Sequence, residues 1–331
     1  MKIAVFSAQR YDRDFLDAAN VAEGHELQYF ELALGAASAA LAAGHDAVCI
    51  FVNDVADASV LEVLQHGGTK LVALRCTGFN NVDLAAAARL GIKVVRVVDY
   101  SPYSVAEHAV ALLLAINRKI HRAYNRTRDF NFSLDGLMGF DLHGKTVAVV
   151  GTGKIGRIFA RIMLGFGCGV IGYDKFPSAE FEKLGGRYAG PGEIGTTADI
   201  ISLHCPLTPE THHIVNARSL ARMKRGALLV NTSRGGLVDT EAAIEALRSG
   251  QLGGLALDVY EQEAGLFFQD LSSTIITDDV LQRLIAFPNV IVTGHQAFLT
   301  REAIATISET TLRSASEFAA NAPLSNEIRT P

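Results

Sequence analysis

The sequence predicts an α/β protein with two doubly wound parallel β-sheets, and three observations support this prediction. The chain has 331 residues, enough for about two domains that each bury a core. Short continuous apolar segments alternate with helix-like segments in two successive series, a pattern typical of parallel sheets that are covered on both faces. A glycine-rich turn comes almost halfway along the chain, so one series of elements precedes it.

The first series occupies residues 1–100. Ala-rich or mixed segments at Ala36–Ala43 and Val82–Leu90 favour helices between the strands. The predicted strands are Lys2–Ser7, Leu27–Glu31, Ala47–Val52, Leu71–Cys76 and Lys93–Val97.

The second series begins with a long helix, predicted from about Ser104 to Tyr124. Ser104 and Glu107 have the spacing of a capping box, which marks a helix start. The six strands predicted after it are Thr146–Val150, Val170–Tyr173, Ile200–His204, Ala227–Asn231, Leu255–Val259 and Val290–Thr293.

The glycine turn follows the first of these six strands and opens a helix. Residues 146–156 read TVAVVGTGKIG, a dinucleotide-binding fingerprint in its expected strand-turn-helix context. Gly151 permits the tight turn, Gly153 lets a pyrophosphate approach the backbone, and Gly156 lets the helix pack closely on the strand. Six parallel strands around this turn match a complete dinucleotide-binding sheet.

An acidic residue at the end of the next strand indicates which dinucleotide is bound. Asp174 lies 23 residues after Gly151, close to the spacing of about 20 at which such enzymes place the ribose-binding acid. Its carboxylate accepts hydrogen bonds from ribose hydroxyls and repels a 2′-phosphate, so NAD is favoured over NADP. The neighbouring Lys175 partly offsets that repulsion.

A last helix carries an apolar stripe and is expected to return to the first domain. The stripe consists of Ile304, Ile307, Thr311, Ala315 and Phe318, spaced by three and four residues. The domain prediction is therefore a first domain of residues 1–100 and 299–331, with residues 101–298 inserted as the cofactor domain. Two chain crossings near residues 100 and 298 are expected to act as a hinge over a cleft.

Composition excludes several classes of protein. A net charge of −5 and the lack of basic runs argue against nucleic-acid binding. The longest apolar run, Ala109–Ile116, is far too short to span a bilayer, and Met1–Ser7 lacks the apolar core of a secretion signal. The scattered cysteines predict free thiols in a reducing cytoplasm; they are Cys49, Cys76, Cys168 and Cys205.

Three ionisable residues follow the carboxyl ends of three successive predicted strands. They are Arg234, Glu263 and His295. In an open parallel sheet the ligand cleft lies at those ends, so a cation, an acid and a base are predicted at one rim. His204, His212 and His213 have no carboxylate at a useful spacing along the chain, so no metal site is predicted.

With these motifs the chain resembles the D-2-hydroxyacid dehydrogenase family, and within it the branch of fermentative bacterial D-lactate dehydrogenases. The resemblance covers nearly the whole chain. It rests on RCTGFNNVD (75–83), SVAEHA (104–109), GTGKIG (151–156), HCPLT (204–208), NTSRG (231–235), DVYEQE (258–263) and GHQAF (294–298). The segment LFFQDL at 266–271 indicates the lactate branch.

The resemblance implies a fold and a reaction. The fold would be a Rossmann NAD-binding domain inserted into a flavodoxin-like substrate domain, and the reaction would be reduction of pyruvate to D-lactate with NADH. His295 would donate the proton, Glu263 would orient its imidazole and favour the protonated form, and Arg234 would grip the substrate carboxylate. The further residues implied at the substrate are Thr77, Gly78, Tyr100 and Phe298.

The resemblance also implies a set of cofactor contacts. Lys154 and Ile155 would lie at the pyrophosphate, Asp174 at the adenosine ribose and Asp258 at the nicotinamide carboxamide. The residues implied beside the nucleotide and nicotinamide are Cys205, Pro206, Thr211, Thr232, Ser233 and Arg234. The helix at 104–124 resembles the dimer-forming helix of the family, so a homodimer or homotetramer is expected.

Two alternatives stay open at this stage. Leu299 stands where some relatives carry tyrosine, which leaves open a larger 2-keto acid as substrate. A non-catalytic NAD-sensing protein of the corepressor kind shares the fold, although a sensor has no chemical need for Glu263 beside His295.

Overall fold

The computed structural model describes residues 1–328 and divides the chain into two compact units. One unit contains Met1–Ser101 together with the chain from Leu299 onward, and the other is Pro102–Phe298. Both contain a parallel sheet with helices, so the predicted α/β class is confirmed. Residues 329–331 of the predicted first domain lie outside the described residues.

The first unit has a five-stranded parallel sheet. Its strands are β1 (Lys2–Val5), β2 (Glu26–Tyr29), β3 (Ala47–Ile50), β4 (Leu71–Leu74) and β5 (Lys93–Arg96), and its first helices are α1 (Arg10–Glu23), α2 (Ala58–His66) and α3 (Leu84–Arg89). The spatial order β2-β1-β3-β4-β5 is the flavodoxin-like order. Every residue of β3 and β4 is buried, as expected for central strands covered on both faces.

The second unit has a seven-stranded parallel sheet in the order β12-β11-β10-β9-β6-β7-β8. Its strands are β6 (Thr146–Val150), β7 (Gly169–Tyr173), β8 (Arg187–Tyr188), β9 (Ile200–Leu203), β10 (Ala227–Asn231), β11 (Leu252–Leu257) and β12 (Val290–Val292). Its helices are α4 (Pro102–Asn117), α5 (Ile120–Arg128), α6 (Lys154–Gly165), α7 (Ala179–Lys183), α8 (Pro191–Thr197), α9 (Ala217–Arg222), α10 (Thr240–Arg248) and α11 (Asp279–Ile285). The strand order reverses between β6 and β9, which is the switch point where doubly wound sheets bind dinucleotides.

The last helix, α12 (Arg301–Ala319), belongs to the first unit and packs against α1, β4 and β5. Its first turn is capped by Thr300, whose hydroxyl accepts the Ala303 N–H at 3.3 Å. Four residues of the apolar stripe predicted from the sequence are buried, namely Ile304, Ile307, Thr311 and Ala315. Ala315 belongs to the core of the first unit, and Phe318 packs half-buried against it.

Several element predictions were wrong in detail. The long helix predicted at 104–124 is two helices, α4 and α5, separated by Lys119 in a left-handed conformation (φ 54°). Ser104 is buried inside α4 and does not begin it. The segment 36–43 forms only a short 3-10 helix at Ala39–Ala42.

The second sheet has seven strands where six were predicted. The seventh strand, β8, is two residues long and consists of Arg187 and Tyr188, so it has no apolar run from which it could be predicted. Within the described residues, no helix is both long and apolar enough to cross a bilayer.

Candidate active site

The glycine turn between β6 and α6 is shaped by close backbone contacts. Gly151 has φ 95°, and a Cβ there would lie 2.5 Å from the amide nitrogen of Cys205. A Cβ on Gly156 would lie 2.0 Å from the Gly151 carbonyl oxygen. A Cβ on Gly153 would meet nothing within 4 Å. The first and third glycines are therefore required by packing, whereas Gly153 leaves open space at the start of α6.

That open space lies at a helix N-terminus, an arrangement suited to an anion. Gly153 is the N-cap of α6 and provides no side-chain cap, and Lys154 and Ile155 form the first turn. The backbone N–H groups of a first helical turn and the positive end of the helix dipole together favour a phosphate.

The carboxylate of Asp174 is fixed at the end of β7 by neighbouring donors. Its Oδ2 accepts the Thr152 N–H at 2.6 Å and the Thr152 hydroxyl at 3.1 Å, and its Oδ1 accepts the Phe176 N–H at 2.9 Å. A carboxylate has about four acceptor positions, so capacity for a further donor such as a ribose hydroxyl remains. The Tyr188 hydroxyl bonds Thr152 Oγ1 at 2.7 Å and braces this arrangement.

Sequence reasoning missed Thr152 and Tyr188. Thr152 is the variable residue of the glycine motif, and Tyr188 lies on the unpredicted strand β8.

An apolar cavity of about 480 Å³ opens beside Asp174 at the carboxyl ends of β6, β7 and β9. Its volume lies within the range of small-molecule sites. The lining includes Val150, Tyr173, Ile194, Leu203, Ile214 and Met223. Sequence analysis assigned none of these to the site, because they are the ordinary apolar residues of strand ends and helices.

The loops after β9 and β10 are tied together near the middle of the sheet. The Ser233 hydroxyl donates to the Cys205 carbonyl at 2.7 Å, and the Thr211 hydroxyl donates to the Pro206 carbonyl at 2.7 Å. The hydroxyl oxygen of Thr232 is buried without a hydrogen-bond partner. A buried polar atom is rarely left in this state, so Thr232 has capacity for a ligand.

Arg234 follows β10 and is held by its own loop. The Asn231 side-chain amide donates to the Arg234 carbonyl at 2.8 Å, and Arg234 Nη1 donates to the Ser233 carbonyl at 2.6 Å. The next residue, Gly235, approaches the segment after β11 so closely that a Cβ would lie 2.1 Å from the Tyr260 carbonyl carbon. This contact fixes the Arg234 loop against the loop that carries Glu263.

His295 and Glu263 form a hydrogen-bonded pair in the same unit. His295 Nδ1 lies 2.8 Å from Glu263 Oε1, while Glu263 Oε2 accepts the Tyr260 N–H at 3.0 Å. The ring of Phe268 lies 5.8 Å from the imidazole, centroid to centroid. His295 has a left-handed backbone (φ 53°), which is uncommon for residues other than glycine and is typical of strained functional positions.

Asp258 fixes the loop that carries His295 through hydrogen bonds. Its fully buried carboxylate accepts the Thr293 hydroxyl at 2.5 Å, the Gln296 N–H at 2.9 Å and the Ala297 N–H at 2.8 Å. His108 Nε2 on α4 lies 3.3 Å from the same carboxylate.

The predicted contact of Asp258 with a carboxamide stays a prediction. In the structure this carboxylate bonds the loop that carries the histidine. Sequence analysis quoted the motif at 104–109 but assigned no role to His108.

The remaining predicted substrate residues fall in different parts of the chain. Thr77, Gly78 and Tyr100 belong to the first unit, whereas Phe298 is the last residue of the second and is buried. The loop of Thr77 and Gly78 follows β4, and Arg96 Nη1 donates to the Thr77 carbonyl at 2.9 Å. Their roles at a substrate stay predictions.

The second unit also contains a cluster that the sequence did not reveal. Glu261 lies 2.6 Å from His213 Nε2 and 3.8 Å from His212 Nε2, measured from its Oε1. No metal site was predicted here, because the histidines have no carboxylate at a useful spacing along the chain. Glu261 is 48 residues from His213 in sequence.

A glycine turn that opens a helix, a braced carboxylate at the end of the next strand, a cavity beside it and a histidine-carboxylate pair on one parallel sheet are the features of a dinucleotide-dependent dehydrogenase. Residues 110–297 match the family model described as "D-isomer specific 2-hydroxyacid dehydrogenase, NAD binding domain". The chain belongs to the D-isomer-specific 2-hydroxyacid dehydrogenase family, and its cofactor is NAD.

Three relatives span essentially the whole chain. The D-lactate dehydrogenase of Escherichia coli is 51% identical over 328 residues, covering 99% of this chain and 100% of the relative. The solved pyruvate reductase of Chlamydomonas reinhardtii has a TM-score of 0.94 at 45% identity and covers 98% of both chains. The D-lactate dehydrogenase of Lactobacillus jensenii, solved with NAD+, has a TM-score of 0.83 at 32% identity and covers 100% of both. These relatives confirm that the chain is an enzyme.

Proposed function

We propose that this enzyme reduces pyruvate to D-lactate with NADH, and that the reaction is reversible. The observation that carries the proposal is the His295–Glu263 pair, 2.8 Å apart, on the same strand-end rim as Arg234. The names of the Escherichia coli and Chlamydomonas relatives support pyruvate as the substrate. The hand of the product rests on the family, whose model is described as specific for the D isomer.

NAD fits the residues that are present. The N–H groups at the start of α6 would hold the pyrophosphate, Asp174 the adenosine ribose and the cavity beside it the adenine. Thr232, with its unpartnered hydroxyl, would accept or donate at the nicotinamide end. When bound, the reduced cofactor supplies the hydride that the keto carbon receives.

Arg234 would bind the carboxylate of the keto acid. Its planar guanidinium offers paired donors that match a carboxylate better than an ammonium does. Its bond to the Ser233 carbonyl and the close packing of Gly235 restrict where the guanidinium can lie. Because the guanidinium is oriented before substrate binds, less conformational entropy is lost when the reactive complex forms.

His295 would donate the proton to the keto oxygen. Because Nδ1 is hydrogen-bonded to Glu263, Nε2 is the ring nitrogen that remains to face a substrate. The C=O π bond breaks as hydride forms a C–H bond and the Nε2 proton forms the hydroxyl. The imidazole is left neutral and regains its proton from solvent. Glu263, hydrogen-bonded to Nδ1, keeps the ring oriented for the transfer.

A substrate panel tests this proposal. Rates with NADH are measured for pyruvate, 2-ketobutyrate, phenylpyruvate and hydroxypyruvate, with NADPH as a parallel series. We expect the highest kcat/KM for pyruvate with NADH. A higher kcat/KM for one of the bulkier acids would contradict the substrate assignment and favour the larger-acid alternative.

We also propose that the chain forms a homodimer or homotetramer. Large apolar side chains are exposed along α5 and the segment after it, including Phe130 at 84%, Leu134 at 81% and Met138 at 90%. Exposed apolar surface of this kind marks an interface. Sedimentation equilibrium is expected to give a multiple of the chain mass, and Leu134→Asp together with Met138→Asp is expected to lower it.

The cysteines support a reducing compartment such as the cytoplasm. All four are buried thiols, and none of them forms a disulfide. Burial raises the pKa of Cys49 and of Cys205 to about 11, so these thiols stay protonated and poorly reactive near neutral pH.

A further inference from the structure

Two histidine rings and one carboxylate converge in the second unit, outside the residues assigned to the reaction. The rings of His212 and His213 stack with centroids 3.9 Å apart and planes inclined by 24°. Glu261 Oε1 lies 2.6 Å from His213 Nε2 and 3.8 Å from His212 Nε2. One donor atom from each of the three lies within 4.8 Å of the other two.

The backbone conformation at His213 lets the side chains of His212 and His213 point to the same side of the chain. Neighbouring side chains in an extended segment point in opposite directions. His213 instead has a left-handed backbone (φ 49°), a conformation that costs of the order of 1–3 kcal/mol outside glycine. Its carbonyl accepts the Asn216 side-chain amide at 2.8 Å, and its N–H donates to the Gly236 carbonyl at 2.8 Å. Strain of this kind is common at ligand-binding clamps.

From this geometry we propose that His212, His213 and Glu261 bind a first-row transition metal of the zinc class. Imidazole nitrogens and a carboxylate oxygen are the ligands that such ions accept, at distances of about 2.0–2.2 Å. Tetrahedral ligands at that distance stand roughly 3.3–3.5 Å apart. The observed separations of 2.6 and 3.8 Å lie on either side of that value, so small side-chain rotations admit the ion.

Three protein ligands leave one coordination position for water. His212 is exposed and the other two side chains are half-buried, so an ion has access from solvent. Mg²⁺ prefers an octahedron of oxygen ligands and is not expected to bind.

The site would link loops that also shape the active site. His213 bonds Gly236 in the loop of Arg234, and the backbone of Glu261 packs against Gly235. A bound ion would therefore fasten the loops after β9, β10 and β11 to one another. This inference does not depend on which 2-keto acid the enzyme reduces.

The test is calorimetric titration of untagged, EDTA-treated, full-length enzyme with Zn²⁺ and separately with Mg²⁺. We expect one Zn²⁺ per chain and no binding of Mg²⁺. His212→Ala, His213→Asn and Glu261→Gln should each weaken Zn²⁺ binding by at least about tenfold. Asn is chosen at 213 because it tolerates the left-handed backbone. The control His66→Ala removes an exposed histidine of the first unit and should leave the affinity unchanged.

A second measurement identifies the ligands in each folded variant. Co²⁺ bound to the wild-type chain should show the visible absorption of a four-coordinate ion, and the band should be lost in His212→Ala. Zn²⁺ affinity that is equal in the wild type and all three ligand variants would overturn the proposal. Failure of wild type to bind Zn²⁺ would do the same, leaving His213 and Glu261 as an ion pair only.

Discussion

Among single residues, the active site depends on side chains that orient other side chains through hydrogen bonds. His295 is oriented by Glu263, and its loop is fastened by the buried carboxylate of Asp258. The sequence predicted that Arg234, Glu263 and His295 follow successive strands. It did not predict the bonds to Asp258 or His108, because these join residues far apart along the chain and depend on how α4 packs against the sheet.

Asp258→Asn should destabilise the enzyme by about 1–3 kcal/mol, because an amide nitrogen would then face N–H donors inside the protein. The free energy of unfolding in urea measures this effect. Asp270→Asn, in an exposed loop, is the matched control and should have little effect. Equal stability of Asp258→Asn and wild type would contradict the role assigned to Asp258 as the anchor of the loop.

Gly235→Ala should lower kcat/KM for pyruvate, because its methyl group would meet the Tyr260 backbone and displace the Arg234 loop. Gly190→Ala, where a Cβ meets nothing within 4 Å, is the control for an added methyl group. Steady-state kinetics with pyruvate measures kcat/KM for both variants and the wild type. Wild-type kcat/KM in Gly235→Ala would show that the close approach does not position Arg234.

At the scale of elements, the glycine turn was the most predictable part of the structure. Its residues must satisfy local geometry that the sequence itself encodes, so strand, turn and helix were placed correctly. Strand β8 and the break at Lys119 were not predicted, because tertiary packing decides them and no apolar period marks them.

The three glycines of this turn should respond differently to the same substitution. Gly156→Ala is expected to destabilise the fold, since its Cβ would overlap the Gly151 carbonyl. Gly153→Ala is expected to retain stability, because the added methyl group meets no protein atom. It is expected to weaken NADH binding, because the methyl group enters the open space proposed for the pyrophosphate. Thermal unfolding and NADH fluorescence titration separate the two effects. Unchanged NADH affinity in Gly153→Ala would contradict the placement of the pyrophosphate.

The element β9 ends next to a histidine that gives stability a pH dependence. Burial lowers the pKa of His204 from 6.5 to about 3, and its Nε2 bonds Ser202 Oγ at 2.9 Å. Between pH 3 and pH 6.5 the His204 imidazole is therefore protonated in the unfolded chain and neutral in the folded chain. The stabilising contribution is fully present above pH 6.5 and is lost as the pH falls toward 3.

Unfolding free energies at pH 7 and pH 5 test this dependence. The loss of stability between the two should be smaller in His204→Gln than in wild type. The control is the same comparison between pH 7 and pH 8, where the two proteins should differ little in slope. An identical loss below pH 7 in both would show that His204 is not the group responsible.

At the scale of the whole molecule, the chain builds one α/β unit, leaves it at Ser101 to build a second, and returns at Leu299 to complete the first. The late glycine turn and the apolar stripe of α12 indicated this order from the sequence. Thr77, Gly78 and Tyr100 belong to one unit and the His295–Glu263 pair to the other. No local sequence pattern connects the two sets, so the substrate roles of Thr77, Gly78 and Tyr100 were implied by the family resemblance and not by spacing along the chain.

The most direct test of the central claim is turnover of pyruvate by His295→Asn, with NADH affinity measured on the same protein. Asn tolerates the left-handed backbone but cannot donate the proton that imidazolium donates. We expect kcat to fall by about 10²–10⁴-fold while the dissociation constant of NADH is unchanged. The remote variant His66→Asn should match wild type in both. Near-wild-type turnover in His295→Asn would contradict the proposed reaction.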